Sequence, residues 1–193
     1  MTSSGPQTRG FLFADLRGYS AFTEQHGDHA SAELLGRYRE LVRREIAAFH
    51  GAEIRTEGDS FYVVFDSVSE AVQAGVAIRD GTTADPGPHP IRVGIGIHAG
   101  ETTDGEQGIV SSAVNVAARV CAQAEAGEVL VTETVRSLTR TFLPSDSRRG
   151  AAAGSRASRS RYASFPSNRA PPPHWPLRQI AAGVSSRRQR GSR

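Results

Sequence analysis

The sequence predicts an α+β protein, with helices layered on one mainly antiparallel sheet. Three observations predict it. Short apolar runs alternate with helix-period stripes between residues 9 and 143. A hairpin signal, Glu57-Gly58-Asp59, separates two strand-like runs near the middle of the chain. Neither a bilayer-length apolar stretch nor a set of cysteines offers another way to organise the chain, since Cys121 is the single cysteine.

The elements follow in order. RGFLFAD reads as a buried strand ending at Asp15, and LRGYSAFTEQHGDH as a glycine-containing turn and short helix. From Ser31 to Phe49 the residues Leu34, Leu35, Tyr38, Leu41, Val42 and Ile46 recur three or four apart, one helical stripe, with Gly51 where a helix stop belongs. AEIRT and SFYVVFD are the hairpin strands, and SVSEAVQAGVAIRD opens with cap residues and reads as an amphipathic helix. IRVGIGIHAG is a strand, ETTDGEQG a Gly-rich loop, and SSAVNVAARVCAQAEAG a helix stopped by Gly127. EVLVT and TETVRSLTRT close as strand and helix. The order is a ferredoxin-like βαββαβ core with an extra C-terminal αβα. About 140 residues can bury roughly two-thirds of their unfolded surface, enough for one independent domain, placed at 9–144 behind a flexible N-terminus 1–8.

Charge divides the chain differently. Residues 1–146 carry 12 basic and 20 acidic groups, net −8, whereas residues 147–193 carry 11 basic groups and no acid, net +11. All 23 basic residues are arginine. The absence of lysine excludes a Walker-type phosphate loop and Schiff-base chemistry. The stretch 145–193, rich in Ser, Arg, Ala and Pro, has no sustained apolar period and is expected to be a disordered tail. With no signal-peptide core and no membrane segment, the chain is expected in the cytoplasm.

Two carboxylates stand where chemistry would want them. Asp15 ends a buried strand and Asp59 occupies the hairpin tip, each beside a glycine. Oxygen ligands brought from neighbouring strand ends suit Mg²⁺ or Mn²⁺, although either residue alone reads as a turn aspartate. In VNVAAR, Asn115 and Arg119 are four apart and share one helix face. An amide and a guanidinium so placed can orient a sugar and neutralise a phosphoryl oxygen; a polar outer stripe is the plainer alternative. His26 and His29 have a zinc-compatible separation but no further ligand nearby, and are expected on the surface. GIGIHAG lies inside a strand and is not a dinucleotide fingerprint.

FLFADLRGYSAFT, RTEGDSFYVVF, IRVGIGIHAGE and VNVAARV, in that order and spacing, resemble the catalytic domain of class III nucleotidyl cyclases, the adenylate and guanylate cyclases. The likeness covers about residues 9–143, and its wording is similar to actinobacterial members. It implies a head-to-tail homodimer with sites at the subunit interface and a nucleoside triphosphate substrate, ATP ahead of GTP. It also implies two Mg²⁺ or Mn²⁺ ions per site, held by Asp15, Asp59 and the backbone carbonyl of Leu16. Asn115 and Arg119 would come from the other chain, to fix the ribose and meet the charge developing at the α-phosphoryl group. The chain departs from the family at the base-reading pair, where Arg55 and Gly108 stand in place of a Lys and an Asp or Thr, and at Ser111, where a Gly is common. A catalytically weak or inactive module that binds nucleotide or dimerises is the alternative these departures imply.

The family's last strand, near an LKG…EP segment, is missing from the chain as written. Read one base out of frame, a legal set of codons for Ala151 to Asn168 spells RRRGLKGIAEPIRVFPVE, which resembles that ending. The expectation is a single-base frameshift near residues 149–151, which the coding DNA decides. A selected nucleic-acid-binding role for the arginine-rich tail ranks below it, because arginine is what GC-rich DNA encodes out of frame.

Overall fold

A computed structural model describes residues 7–102, 112–140 and 162–165. The elements are β1 (Gln7–Leu16), α1 (Tyr19–Ala48), β2 (Ala52–Glu57), β3 (Ser60–Phe65), α2 (Val68–Ala84), β4 (Val93–Thr102), α3 (Ser112–Gln123), β5 (Glu128–Thr132), α4 (Glu133–Leu138) and β6 (Tyr162–Phe165). The expected order is observed, with one strand more. Six strands form a sheet in the order β2-β3-β1-β4-β5-β6. β1 pairs antiparallel with both β3 and β4, β2 with β3, and the β4–β5 and β5–β6 pairs are parallel.

The apolar run of β1 is continuous because both faces are covered, and Phe11, Leu12 and Ala14 are fully buried. Its even residues Leu12, Ala14 and Leu16 join the larger core with Leu34, Tyr38, Val42 and Ile46 of α1 and Ala71, Ala74 and Ile78 of α2. Its odd residues Phe11 and Phe13 meet Ala113, Val114, Ala117, Ala118 and Cys121 of α3 on the other side. Asp15 belongs to this odd set, so the strand's period of two aims it toward the side of α3.

α1 bends at Gly27, whose backbone (φ 80, ψ 173) is non-helical, which joins the expected short helix and long stripe into one element. After α1 the left-handed residue is His50 (φ 57) rather than Gly51. Gly51 is there for space, because a Cβ would stand 2.6 Å from the Phe65 ring. The β2–β3 turn has Gly58 at φ 57, as a tight hairpin asks. α2 begins at Ser67, whose hydroxyl accepts from the Glu70 N–H.

Two boundaries move. Gln7 and Thr8, placed in a flexible N-terminus by the sequence, are paired with Thr102 and Glu101 of β4. Tyr162–Phe165, placed in a disordered tail, forms β6 along β5, so a sixth strand stands where the chain was expected to lack one. The physical reason is local. β5 would otherwise offer an open parallel edge, and the aromatic-bearing run YASF has the strand propensity that its Arg- and Ser-rich flanks lack. Among the described residues no helix is long and apolar enough to cross a membrane.

Candidate active site

Asp15 sits at the end of β1, in register with Gly94 of β4 and one step beyond the Ala14–Phe61 pair. Ser60 Oγ donates to its Oδ1 at 2.5 Å, and Arg17 donates to its Oδ2 at 2.6 Å. Asp59 precedes Ser60 in the hairpin turn. Burial first, then the charge of Asp15, holds the Asp59 carboxyl above the usual aspartate range. The Ser60–Asp15 bond and the electrostatic effect of Asp15 on Asp59 put the two carboxylates on the same end of the sheet. Beneath them Tyr38 is fully buried, and its hydroxyl has no hydrogen-bond partner. Burial and then Asp15 raise the Tyr38 phenol well above its ordinary value, so it stays neutral beside the carboxylates.

The fit to a divalent cation rests on these donors. The charge of Asp15 raises the proton affinity of the half-buried Asp59 carboxyl, which marks an anionic spot that a cation would relieve. No group of three or more His, Cys, Asp or Glu side chains able to hold a metal occurs among the described residues. An ion at Asp15 and Asp59 would therefore be completed by backbone carbonyl, water and ligand oxygens, the habit of Mg²⁺ and Mn²⁺ rather than zinc. Leu16, whose carbonyl is the third expected donor, follows directly in register with Val93.

α3 turns its small residues to the sheet and the others away. Asn115 is exposed, and Arg119 is half-buried with its Nε shielded from solvent and without a hydrogen-bond partner. Four residues apart on α3, the two lie about one helical turn from each other, and among the described residues the Arg119 Nε meets no acceptor. Arg55 lies on β2 just past a bulge, with Nε 3.1 Å from Glu57 Oε1 and its side chain 35% exposed. Gly108 and Ser111 lie outside the described residues.

Sequence reasoning missed Arg17, Ser60 and the role of Tyr38. Ser60 reaches Asp15 only through the non-local β1–β3 pairing, which no hairpin signal gives, and Tyr38 was read only as core. Beside the Leu16–Tyr19 turn lies a cavity of about 400 Å³, lined also by Phe22, His26, His89 and Arg92. His26 stacks on Phe22 (4.3 Å between ring centres) and meets His89 edge-on (4.8 Å), while His29 is exposed. His26 therefore has no structural tie to His29.

The family model for the adenylate and guanylate cyclase catalytic domain matches residues 3–153. The chain belongs to this family. The cyclase domain is 27% identical over 128 residues to a Rhizobium meliloti protein named, provisionally, adenylate cyclase 3, covering 64% of this chain and 22% of that protein. It is 26% identical over 134 residues to the serine/threonine-protein kinase pkn2 of Myxococcus xanthus, covering 67% of this chain and 16% of the kinase. The chain thus spans less than a quarter of either relative's length. Among solved structures, the adenylyl cyclase CyaB of P. aeruginosa matches with a TM-score of 0.65 at 23% identity, over 74% of this chain and 84% of that one. The monomeric guanylyl cyclase domain of the RhoGC fusion protein of Blastocladiella emersonii matches with the same TM-score at 16% identity, over 72% and 90%. At these identities the structures speak for the fold, and the fold is common to adenylyl and guanylyl cyclases.

Proposed function

We propose that this cyclase domain converts a nucleoside triphosphate, ATP ahead of GTP, into a 3′,5′-cyclic nucleotide and pyrophosphate for intracellular signalling, as a cytoplasmic homodimer with composite sites. The observation that supports the reading is the electrostatic pairing of Asp15 with Asp59 at one end of the sheet, with Asn115 exposed on α3 and the Arg119 Nε without an acceptor among the described residues.

Asp15, Asp59 and the Leu16 carbonyl would hold two Mg²⁺ or Mn²⁺ ions. When bound, these supply the Lewis acidity that makes the ribose 3′-hydroxyl a better nucleophile and offsets the charge of the departing pyrophosphate. The chain's residues do the rest. Ser60 fixes the Asp15 carboxylate through Oδ1. Asn115 of the other protomer orients the ribose so that its 3′-oxygen faces the α-phosphorus. Arg119 of that protomer meets the negative charge that gathers on the α-phosphoryl oxygens as the 3′-oxygen bond forms and the bond to pyrophosphate breaks. Among the described residues its shielded Nε has no competing partner to give up. Base selection falls to Arg55, which first has to leave Glu57. That ion pair favours a second reading, a module that binds nucleotide or dimerises with little or no turnover.

The test is to incubate the purified full chain with ATP or GTP and Mn²⁺, with Asp59→Ala as control. The expected result is cyclic product at least about 10²-fold above that control, the scale on which a single electrostatic contribution to catalysis acts. No product above it would refute the enzymatic reading and leave the second.

A further inference from the structure

Arg17 is tied to more of the site than any residue singled out by the motifs. Its NH1 donates to Asp15 Oδ2 at 2.6 Å. Its Nε donates to the carbonyl of Ala124 at 2.8 Å, and its NH2 to the carbonyl of Cys121 at 2.5 Å. The last carbonyls of a helix lack partners within it, and a cation there also complements the helix dipole. Arg17 therefore caps the C-terminal end of α3 from a different element, while its third nitrogen holds a carboxylate of the site. The slot is built for it, since a Cβ on Gly94 would lie 2.5 Å from Arg17 Nε. The ion pair is largely shielded, with side-chain exposures of 23% for Arg17 and 18% for Asp15.

The geometry points to Arg17 as a positioning residue that couples cation occupancy at Asp15 to the placement of α3, the helix that carries Asn115 and Arg119. The inference rests on the reading of Asp15 as a cation ligand. A divalent ion at Asp15 repels the guanidinium, because two cations then share one carboxylate at close range in a shielded place. Arg17 cannot simply swing into solvent, since two of its nitrogens are fixed to the end of α3. The displacement is passed to that helix instead. With composite sites, filling the cation site of one protomer then adjusts the residues that the same protomer lends to its partner's site.

The experiment reads metal binding and helix protection, not turnover. The full chain, Arg17→Gln, Arg17→Lys and Asp15→Asn are titrated with Mn²⁺ alone, following the free-ion EPR signal, and amide exchange across residues 117–124 is measured with and without Mn²⁺. In the unaltered chain Mn²⁺ is expected to speed exchange in this segment. Arg17→Gln removes the competing charge and the cap, so Mn²⁺ should bind about tenfold more tightly. Its segment should exchange fast from the start, with no further response to the ion. Arg17→Lys keeps the charge without the fork, so its Mn²⁺ affinity should stay near that of the unaltered chain while the segment is fast. That split separates coupling from a general loss of structure, which would move both readouts together in both variants and overturn the inference. Equal Mn²⁺ affinity in Arg17→Gln, or exchange at α3 indifferent to bound Mn²⁺, also overturns it while leaving Asp15 a ligand. Undiminished binding in Asp15→Asn removes the ligand reading itself.

Discussion

The two halves of the candidate site are furnished in opposite ways. At the end of β1, Asp15 is held from within the chain, with Ser60 on one oxygen and Arg17 on the other. On the outward side of α3, Asn115 is exposed and the Arg119 Nε is shielded yet unbonded. A shielded donor without a partner costs free energy, and it persists in a fold when something from outside completes it. The Asp15 carboxylate is held by its own chain, and under the proposed composite site the α3 end would be completed by the partner copy.

The sharpest way to break the comparison is to separate the two halves onto different chains. Arg119→Ala should lower turnover about 10²- to 10³-fold with the fold intact, the usual loss when one donor to developing charge is removed. If α3 serves the partner's site, mixing equal amounts of Arg119→Ala and Asp59→Ala protein should recover about a quarter of the unaltered activity. Half of the randomly paired dimers are then mixed, and each mixed dimer has one site with both residues and one with neither. A mixture no more active than its components would place both residues in a site within one chain.

A smaller effect tests why α3 can lie so close to the sheet. A Cβ on Gly96 would meet Cys121 N at 2.1 Å and Cys121 Cα at 2.5 Å, a clash with backbone that no side-chain rotation relieves. Gly96→Ala should therefore lift α3 from β4 and cost about 1–3 kcal/mol, lowering the melting midpoint by several degrees. Gly36→Ala in α1, where nothing lies within 4 Å of the new carbon, should leave the midpoint unchanged or raise it. Equal effects at the two glycines would mean that α3 does not depend on this close approach.

These cases also mark what the sequence could and could not tell. Asp15 and Asp59 were legible because a strand end and a glycine hairpin are local patterns, and Asn115 with Arg119 because four residues make about one helical turn. The glycines of GIGIHAG were recognisable as no dinucleotide motif, yet their purpose, room for Arg17 at Gly94 and for α3 at Gly96, is visible only once β4 and α3 are stacked. Arg17 was passed over for the same reason, since its carbonyl partners are 104 and 107 residues away. β6 escaped because four residues, YASF, are too short a signal against a background of Arg, Ser and Ala. The family match ends at residue 153, ahead of that strand.

The smallest predicted effect lies on the α3 side of the sheet, away from the carboxylates. His98 stands opposite Phe11 on β1, with its Nδ1 2.9 Å from Thr132 Oγ1 on β5. Burial holds its imidazole below the usual histidine value, because the charged ring would lose its water. The unfolded chain takes up a proton near pH 6.5 and the folded chain only at lower pH, so the unfolded state binds more protons in between. Stability linked to His98 is thus fully present above about pH 6.5 and is lost as the pH falls toward the folded-state value. The slope cannot exceed about 1.4 kcal/mol per pH unit for one proton, and the partial exposure of His98 keeps it below that. His98→Gln, which keeps a hydrogen-bonding group without a titrating one, should melt with a shallower loss between about pH 7.5 and 5.5 than the unaltered chain. Groups common to both proteins cancel in that difference. Identical slopes would show that acid sensitivity arises elsewhere than His98, and not at Asp59, because a carboxyl that takes up its proton more readily in the folded chain adds stability as the pH falls.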